Sequence, residues 1–563
     1  MIYHCEDHTC NYWDEGEKLP ERCPQCGRKL LRANEADMTG DDWTALGNTL
    51  WDAEASDKKR MVDCFRKAAY LGSAWGVCNL GICMEQGNGV EADPVQAFWL
   101  YQQAVEMGSL NAVCCLGVCY QYGIGTAPDA KQAAELYCKA AEYGSPRGQM
   151  LLARAFHDGI GVEADAAEAV YWVRAAAYQR YGEGMHRLGV CYEYGDGVEQ
   201  NWERAVHWFR EAAESGVGVA MTDLGYCYEK GCGVEQSWEQ AFSWYRRSAE
   251  CGNPVSMSNL GLCYQMGYGV EQNWQEAIKW YEQGAQCGDL QSMHNLACCY
   301  EGGEGVEQNE DRAFYWYRRS AEGGNGSAMC NLGRCYKRGY GVEQNWQEAV
   351  KWYEQGAQCG NLQSMHNLAC CYEHGEGVEQ DMKKAICWYE RAAEQNHPAA
   401  MNSLGECYAM GRGVPRDLET AMEWYRRAAE LGEAMADYNM GWHLEQAGKL
   451  SEAYTHYRKA ADGNDDSAWW ALGRFYENGV VVAQDGKEAR RCYETGEKLG
   501  SVKCKMRLAR CKLLGIGGRR AKKAGLDLCR QALELAKESS EKEDYGYEAE
   551  MNLLRRTIAE NES

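Results

Sequence analysis

Residues 218–252 read GVAMTDLGYCYEKGCGVEQSWEQAFSWYRRSAECG, and this stretch decides the fold. With Leu224 as position zero, small or apolar residues stand at −4, −3, 0, +1, +3 and +4: Ala220, Met221, Leu224, Gly225, Cys227 and Tyr228. At about 100° per residue they share one face, which predicts an amphipathic helix. A Gly-x-Gly-Val turn, Gly231 to Val234, ends it. The second half places Trp238, Ala241, Phe242, Trp244, Tyr245 and Ala249 at helical spacing before Gly252 breaks the chain again. One such helix pair cannot bury both apolar faces alone, so copies must stack.

The copies are there. Leu80, Leu116, Leu152, Leu188, Leu224, Leu260, Leu296, Leu332, Leu368 and Leu404 follow one another at steps of 36 residues. Leu46 precedes the series, and Met440, Leu472 and Leu508 continue it, giving 14 units. The 39-residue segment that begins at Val270 recurs from Val342 with 3 changes, an offset of two whole repeats. A modular surface tolerates such duplication more readily than a catalytic site does.

The motif Ala-x-x-x-Leu-Gly-x-x-Tyr-x-x-Gly-x-Gly-Val, then Ala-x-x-Trp-Tyr-x-x-Ala-Ala-x-x-Gly, resembles the Sel-one-like repeat, a relative of the tetratricopeptide repeat with a longer inter-helix loop. The resemblance spans residues 38–538. It implies an all-α fold, a right-handed α-solenoid used as an adaptor or scaffold rather than as an enzyme. The first unit lacks Gly-x-Gly-Val, and the Met440 unit carries a short turn of the tetratricopeptide type. Residues 539–563 are expected to form a closing helix with a polar outer face.

Residues 1–33 fall outside the repeat. They hold Cys5-x4-Cys10 and, 12 residues on, Cys23-Pro-Gln-Cys26-Gly. Two thiolates on one tight turn, paired with two more, predict a closed tetrahedral zinc site in a segment with almost no core. The segment is similar to a rubredoxin-type zinc ribbon, although its first cysteine pair has the wider x4 spacing. His8 is an alternative ligand to Cys10, and zinc is favoured over iron.

Ten further cysteines occupy position +3: Cys83, Cys119, Cys191, Cys227, Cys263, Cys299, Cys335, Cys371, Cys407 and Cys511. Neighbouring helices lie ~8–10 Å apart, too far for equivalent positions to form disulfides, which need Cα atoms within about 7 Å. They are expected as reduced, small core residues. The start MIYHCEDHTC has no basic stretch leading into an apolar run, which predicts no export signal. No run is long and apolar enough for a membrane span. These features together predict a cytoplasmic protein.

Position −1 carries Asn79, Asn259, Asn295, Asn331, Asn367 and Asn439. A ladder of side-chain amides, each donor and acceptor, suits the backbone of an extended peptide. Its alternative role is bonding between neighbouring repeats. First helices line the concave surface in this repeat class, so these residues, with His294 and His366 pointing outward at −2, form the candidate groove. The recurring Trp-Tyr pairs, such as Trp244/Tyr245, are expected in the core.

The chain has 563 residues, 45% of them apolar and 25% charged, with a formal net charge of −24. Such an acidic surface repels nucleic-acid phosphates and anionic lipid. The reading is therefore a scaffold that binds protein or peptide partners in its groove. The alternative is a regulatory or sensor component whose zinc ribbon contacts nucleic acid or a second partner.

Overall fold

The computed structural model describes residues 2–5, 13–15, 30–33, 35–51, 55–542 and 548–562. Among them, three short strands come first: β1 (Ile2–Cys5), β2 (Trp13–Glu15) and β3 (Leu30–Ala33). They form an antiparallel sheet in the order β2-β1-β3. Beyond Ala33 the described residues hold no strand; they are built from 29 α-helices.

The helix pair read from residues 218–252 is present as Gly218–Lys230 and Trp238–Glu250. Its boundaries follow from local chemistry. Gly231 closes the first helix in the left-handed region at φ 73°, and its N–H bonds back to Cys227 O. Gly233 follows at φ 69°, where a Cβ would stand 2.4 Å from the backbone of Trp202 in the preceding repeat, so no side chain fits. Ser237 caps the second helix by accepting from Gln240 N. The Met440 unit has the short connection its sequence predicts: Ala434–Gln446 and Leu450–Asp462 are joined through residues 447–449.

The chain divides into two compact units, Met1–Asp289 and Leu290–Ser563. Within each, a first helix packs on its own second helix, and that second helix on the next first helix, as a helix-pair array requires. In the first unit the cores include Leu188, Cys191, Phe209, Leu224 and Cys227. In the second they include Leu368, Cys371, Tyr389, Leu404, Cys407 and Tyr425. The cysteines at +3 are buried and free, and burial pushes the thiols of Cys263, Cys299 and Cys407 up to about 12. The tyrosines of the Trp-Tyr pairs are fully buried, while Trp244, Trp388 and Trp424 lie partly covered at the edges of the cores.

The last second helix, Lys522–Lys542, runs across the expected division at 538/539. Glu548–Glu562 closes the second unit: its Met551 and Leu554 bury against Met506, Ala509 and Leu513, leaving Asn552 and Arg555 exposed.

Candidate functional site

The side chains at −1 and −2 of the first helices meet across repeats. His186 Nε2 pairs with Asp223 Oδ2 at 2.7 Å in the first unit. In the second unit His294 Nε2 pairs with Asn331 Nδ2 at 3.0 Å, and Asn367 Nδ2 donates to Cys330 Sγ at 3.4 Å. His366 Nε2 pairs with Ser403 Oγ at 3.3 Å, and Asn439 Nδ2 donates to Asn402 Oδ1 at 3.0 Å. In each case residue −2 of one repeat contacts residue −1 of the next, 37 positions later in the chain. Because consecutive first helices lie side by side, the two positions face each other across the seam.

This changes the sequence reading of the groove. Asn331, Asn367 and Asn439 spend amide N–H donors on the neighbouring repeat, and Asn79 donates to Asn48 Oδ1 at 2.8 Å in the same way. Asn295 accepts within its own helix, from Gln291 Nε2 at 2.8 Å. Asn259 is half-buried. Replacing Asn331, Asn367 and Asn439 together by Ala should therefore cost stability, about 0.5–1.5 kcal/mol for each lost bond, measured as a lowered urea midpoint. An unchanged midpoint would show that the bonds do not hold the repeats together.

His294 and His366 do not point outward as expected. Both are half-buried at the seam, their rings 5.8 and 5.6 Å from the core rings of Tyr317 and Tyr389. Burial lowers the pKa of each, His366 to about 4. The −2 position turns inward because the adjacent first helix covers it.

Of the expected zinc ligands, Cys5 ends β1, and Cys10, Cys23 and Cys26 lie outside the described residues. Among the described residues no three His, Cys, Asp or Glu side chains form a group that could hold a metal ion, and no helix is long and apolar enough to cross a membrane.

The exposed face of the first helices is set by positions +2 and +6, one helical turn apart. In the first unit, +2 carries the half-buried Ile82, Val118 and Val190 and the exposed Tyr226 and Leu262, and +6 carries Tyr122, Tyr194 and Met266. Asn48 and Arg154 at +2 and Gln86, Asp158 and Lys230 at +6 are the polar exceptions. Tyr194 is 72% exposed, Tyr226 44% and Met266 50%, a high proportion of water-facing apolar surface for one helix face. In the second unit the same positions are mixed. Arg334, Glu406, Arg474 and Arg510 at +2 and Arg338 at +6 are charged, while Trp442 at +2 and Met410 and Leu514 at +6 are exposed apolar residues separated by Cys, Gly and polar positions. Arg334 there is held by Glu301 at 2.7 Å, and Arg474 by Glu445 at 3.0 Å. The apolar face was missed in the sequence because each repeat offers only two such residues. Aligning +2 and +6 across all repeats is the signal that finds them.

Comparison with known proteins agrees with the helix-pair repeat fold. The sequence profile described as "Sel1 repeat" matches 12 successive segments, from 76–109 to 468–501, leaving the Leu46 and Leu508 units outside. The crystal structure of a protective antigen present in uropathogenic Escherichia coli strains, displaying an SLR fold, is similar at 28% identity with a TM-score of 0.53. That match covers 89% of this chain and 94% of the antigen. A Sel1 repeat protein from Oxalobacter formigenes shares 33% identity over 44% of this chain and 99% of its own, with a TM-score of 0.41. No curated protein matches the chain.

Proposed function

This chain belongs to the Sel1 repeat family, and on that premise we propose that it is a protein-binding scaffold whose first-helix face receives partner segments. The observation that carries the reading is the exposed apolar face of the first unit: Tyr122 and, beyond the helix Pro146–Asp158 with its polar +2 and +6, Tyr194, Tyr226, Leu262 and Met266 on three successive first helices. Apolar surface left in water on a regular framework is what a peptide-docking wall requires. The amides at −1 contribute through the groups left over from the seam, so the groove asparagines act chiefly as framework, and +2 and +6 carry recognition. The net charge of −24 favours partners with basic flanks.

The test is selection of peptides from a random displayed library on the full chain, repeated with Tyr194→Ser/Tyr226→Ser/Leu262→Ser. These three side chains are exposed, so the variant should fold. Selected peptides should bind the native chain at least tenfold better than the variant. Equal binding would overturn the reading.

The N-terminal segment belongs to the same proposal. Cys5, Cys10, Cys23 and Cys26 would bind one zinc as thiolates, a closed site that staples a segment with little core of its own. The spacing of the four cysteines supports it, as does a three-stranded antiparallel sheet around this segment. Elemental analysis should find about one zinc per chain, lost in Cys23→Ser/Cys26→Ser. Metal content unchanged by those substitutions would sink the assignment.

A further inference from the structure

From Phe65 to Tyr493, one place in the second helix of each repeat is reserved for a buried ring. Phe65, Tyr101, Tyr137, Phe209, Tyr245, Tyr281, Tyr317, Tyr353, Tyr389, Tyr425, Tyr457 and Tyr493 fill it and are the largest fully buried side chains among the described residues. The fourth repeat alone in this series carries an aliphatic residue there, Val173. Elsewhere the ring lies against residue +1 of the first helix, so closely that a Cβ on Gly225 would meet Tyr245 at 2.6 Å. In eight of these repeats the ring is a tyrosine whose hydroxyl donates to residue +5, as Tyr101 to Glu85 at 2.6 Å, Tyr137 to Gln121 at 2.7 Å and Tyr245 to Glu229 at 2.8 Å; Phe65 and Phe209 carry no hydroxyl. In the fourth repeat +1 is Ala153 and +5 is His157.

The space left behind is open. A cleft of about 400 Å³ lies between the first helices Pro146–Asp158 and Gly182–Tyr194, above the second helix Ala166–Tyr178. Its floor is apolar and includes Ala153, Val170 and Val173, with Met150 and Cys191 on its walls. His157 and Arg154 stand exposed among its lining residues. His157 is oriented by two carboxylates, Nδ1 at 2.7 Å from Asp158 and Nε2 at 3.3 Å from Asp196. The cleft also interrupts the apolar face described above, since +2 and +6 of this repeat are Arg154 and Asp158 rather than apolar residues.

We propose that this cleft binds a tyrosine side chain supplied by a partner peptide, with the phenol ring where the repeat's own ring is missing and the hydroxyl donating to His157 Nε2 in place of the longer Asp196 contact, while Asp158 keeps Nδ1. The template is the protein itself: the preceding repeat holds a phenol in the equivalent place, Tyr137 bonded at +5 to Gln121, and the following repeat holds the plain ring of Phe209. The apolar face on either side, Val118 with Tyr122 and Val190 with Tyr194, is placed to hold the flanking residues of the same segment. The proposal rests on the reading of the first-helix face as a docking surface and names what one position of it selects.

The test separates the two. A random peptide library is selected on the full chain, on Ala153→Gly/Val173→Tyr, which rebuilds the Gly–Tyr pair found in most other repeats, and on His157→Ala. The native chain should enrich Tyr at one fixed position at least tenfold. The rebuilt variant, with a thermal midpoint equal to or above the native one, should lose that enrichment while still selecting apolar peptides. His157→Ala should accept Tyr and Phe equally. Tyr enrichment that survives in the rebuilt variant overturns the cleft proposal and leaves the docking face standing; a native chain that selects no peptide overturns both. If the rebuilt variant melts early, saturation-transfer NMR with N-acetyl-tyrosinamide on the native chain decides. A signal displaced by the selected peptide supports the proposal, and no signal overturns it. Binding of N-acetyl-tyrosinamide without Tyr enrichment among peptides would assign the cleft to a free phenol and overturn the peptide occupant.

Discussion

Tyr245→Ala should lower stability by about 3–5 kcal/mol, the usual cost of removing a large buried aromatic. The ring is 1% exposed and lies on Gly225, whose missing Cβ makes the room for it. Surrounding helices cannot collapse into the space, because the ring sits where two helices are held by their own repeat. Tyr245→Phe keeps the packing and removes only the bond to Glu229 Oε2, 2.8 Å from the hydroxyl, so it should cost about 1 kcal/mol. Urea unfolding of the three proteins gives both numbers. Similar losses for Ala and Phe would mean that the hydrogen bond, and not the ring, holds the pair together. In a repeat array each unit is stabilised by its neighbours, so amide exchange should quicken most in residues 218–250 and the helices that flank them.

Acidification should destabilise the protein through His366. In the unfolded chain a histidine titrates near 6.5; in the fold His366 titrates near 4, because burial disfavours the imidazolium and His397, 5.6 Å away, adds repulsion. Between those two values the unfolded state binds a proton that the folded state does not. Stability therefore rises with pH through this window and falls on acidification, by on the order of 3 kcal/mol between pH 7 and pH 4. Above pH 6.5 both states are neutral and the contribution is flat. Lys337 adds to the lowering of the pKa, while Asn367 and Glu373 oppose it. Urea midpoints of the native chain and His366→Gln, compared at pH 7 and pH 4, isolate this residue from the other histidines. A native chain and variant that lose stability in parallel would show that His366 carries no such penalty.

How the seam is built explains why the histidine could be misread. From the sequence, −2 is two residues from a core leucine and looks like a surface position of an isolated amphipathic helix. In the fold, His294 lies against Asn331 and His366 against Ser403, because a second first helix stands where water would otherwise be. The asparagines at −1 were seen as a ladder, and Asn79, Asn331, Asn367 and Asn439 do form its rungs; their donors run along the array to the preceding repeat. A periodic pattern shows which residues are equivalent, and equivalence cannot say whether the partner is a neighbouring repeat or a ligand.

The sequence by itself determined the helix pair, its 36-residue period, the buried cysteines at +3 and the tyrosines behind them. Those follow from local rules: one-face spacing within a helix, glycines where the chain must turn through positive φ, and stacking forced by units too small to stand alone. Tertiary structure alone decided which faces remain in water. The apolar +2 and +6 positions of the first unit, the inward turn of His294 and His366, and the cleft over Val173 all depend on how far one helix covers the next. Val173 was legible as a departure from the repeat, but whether a missing ring closes up or leaves a cavity is settled by packing. Here the flanking helices are held in place by the repeats on either side, and the space stays open.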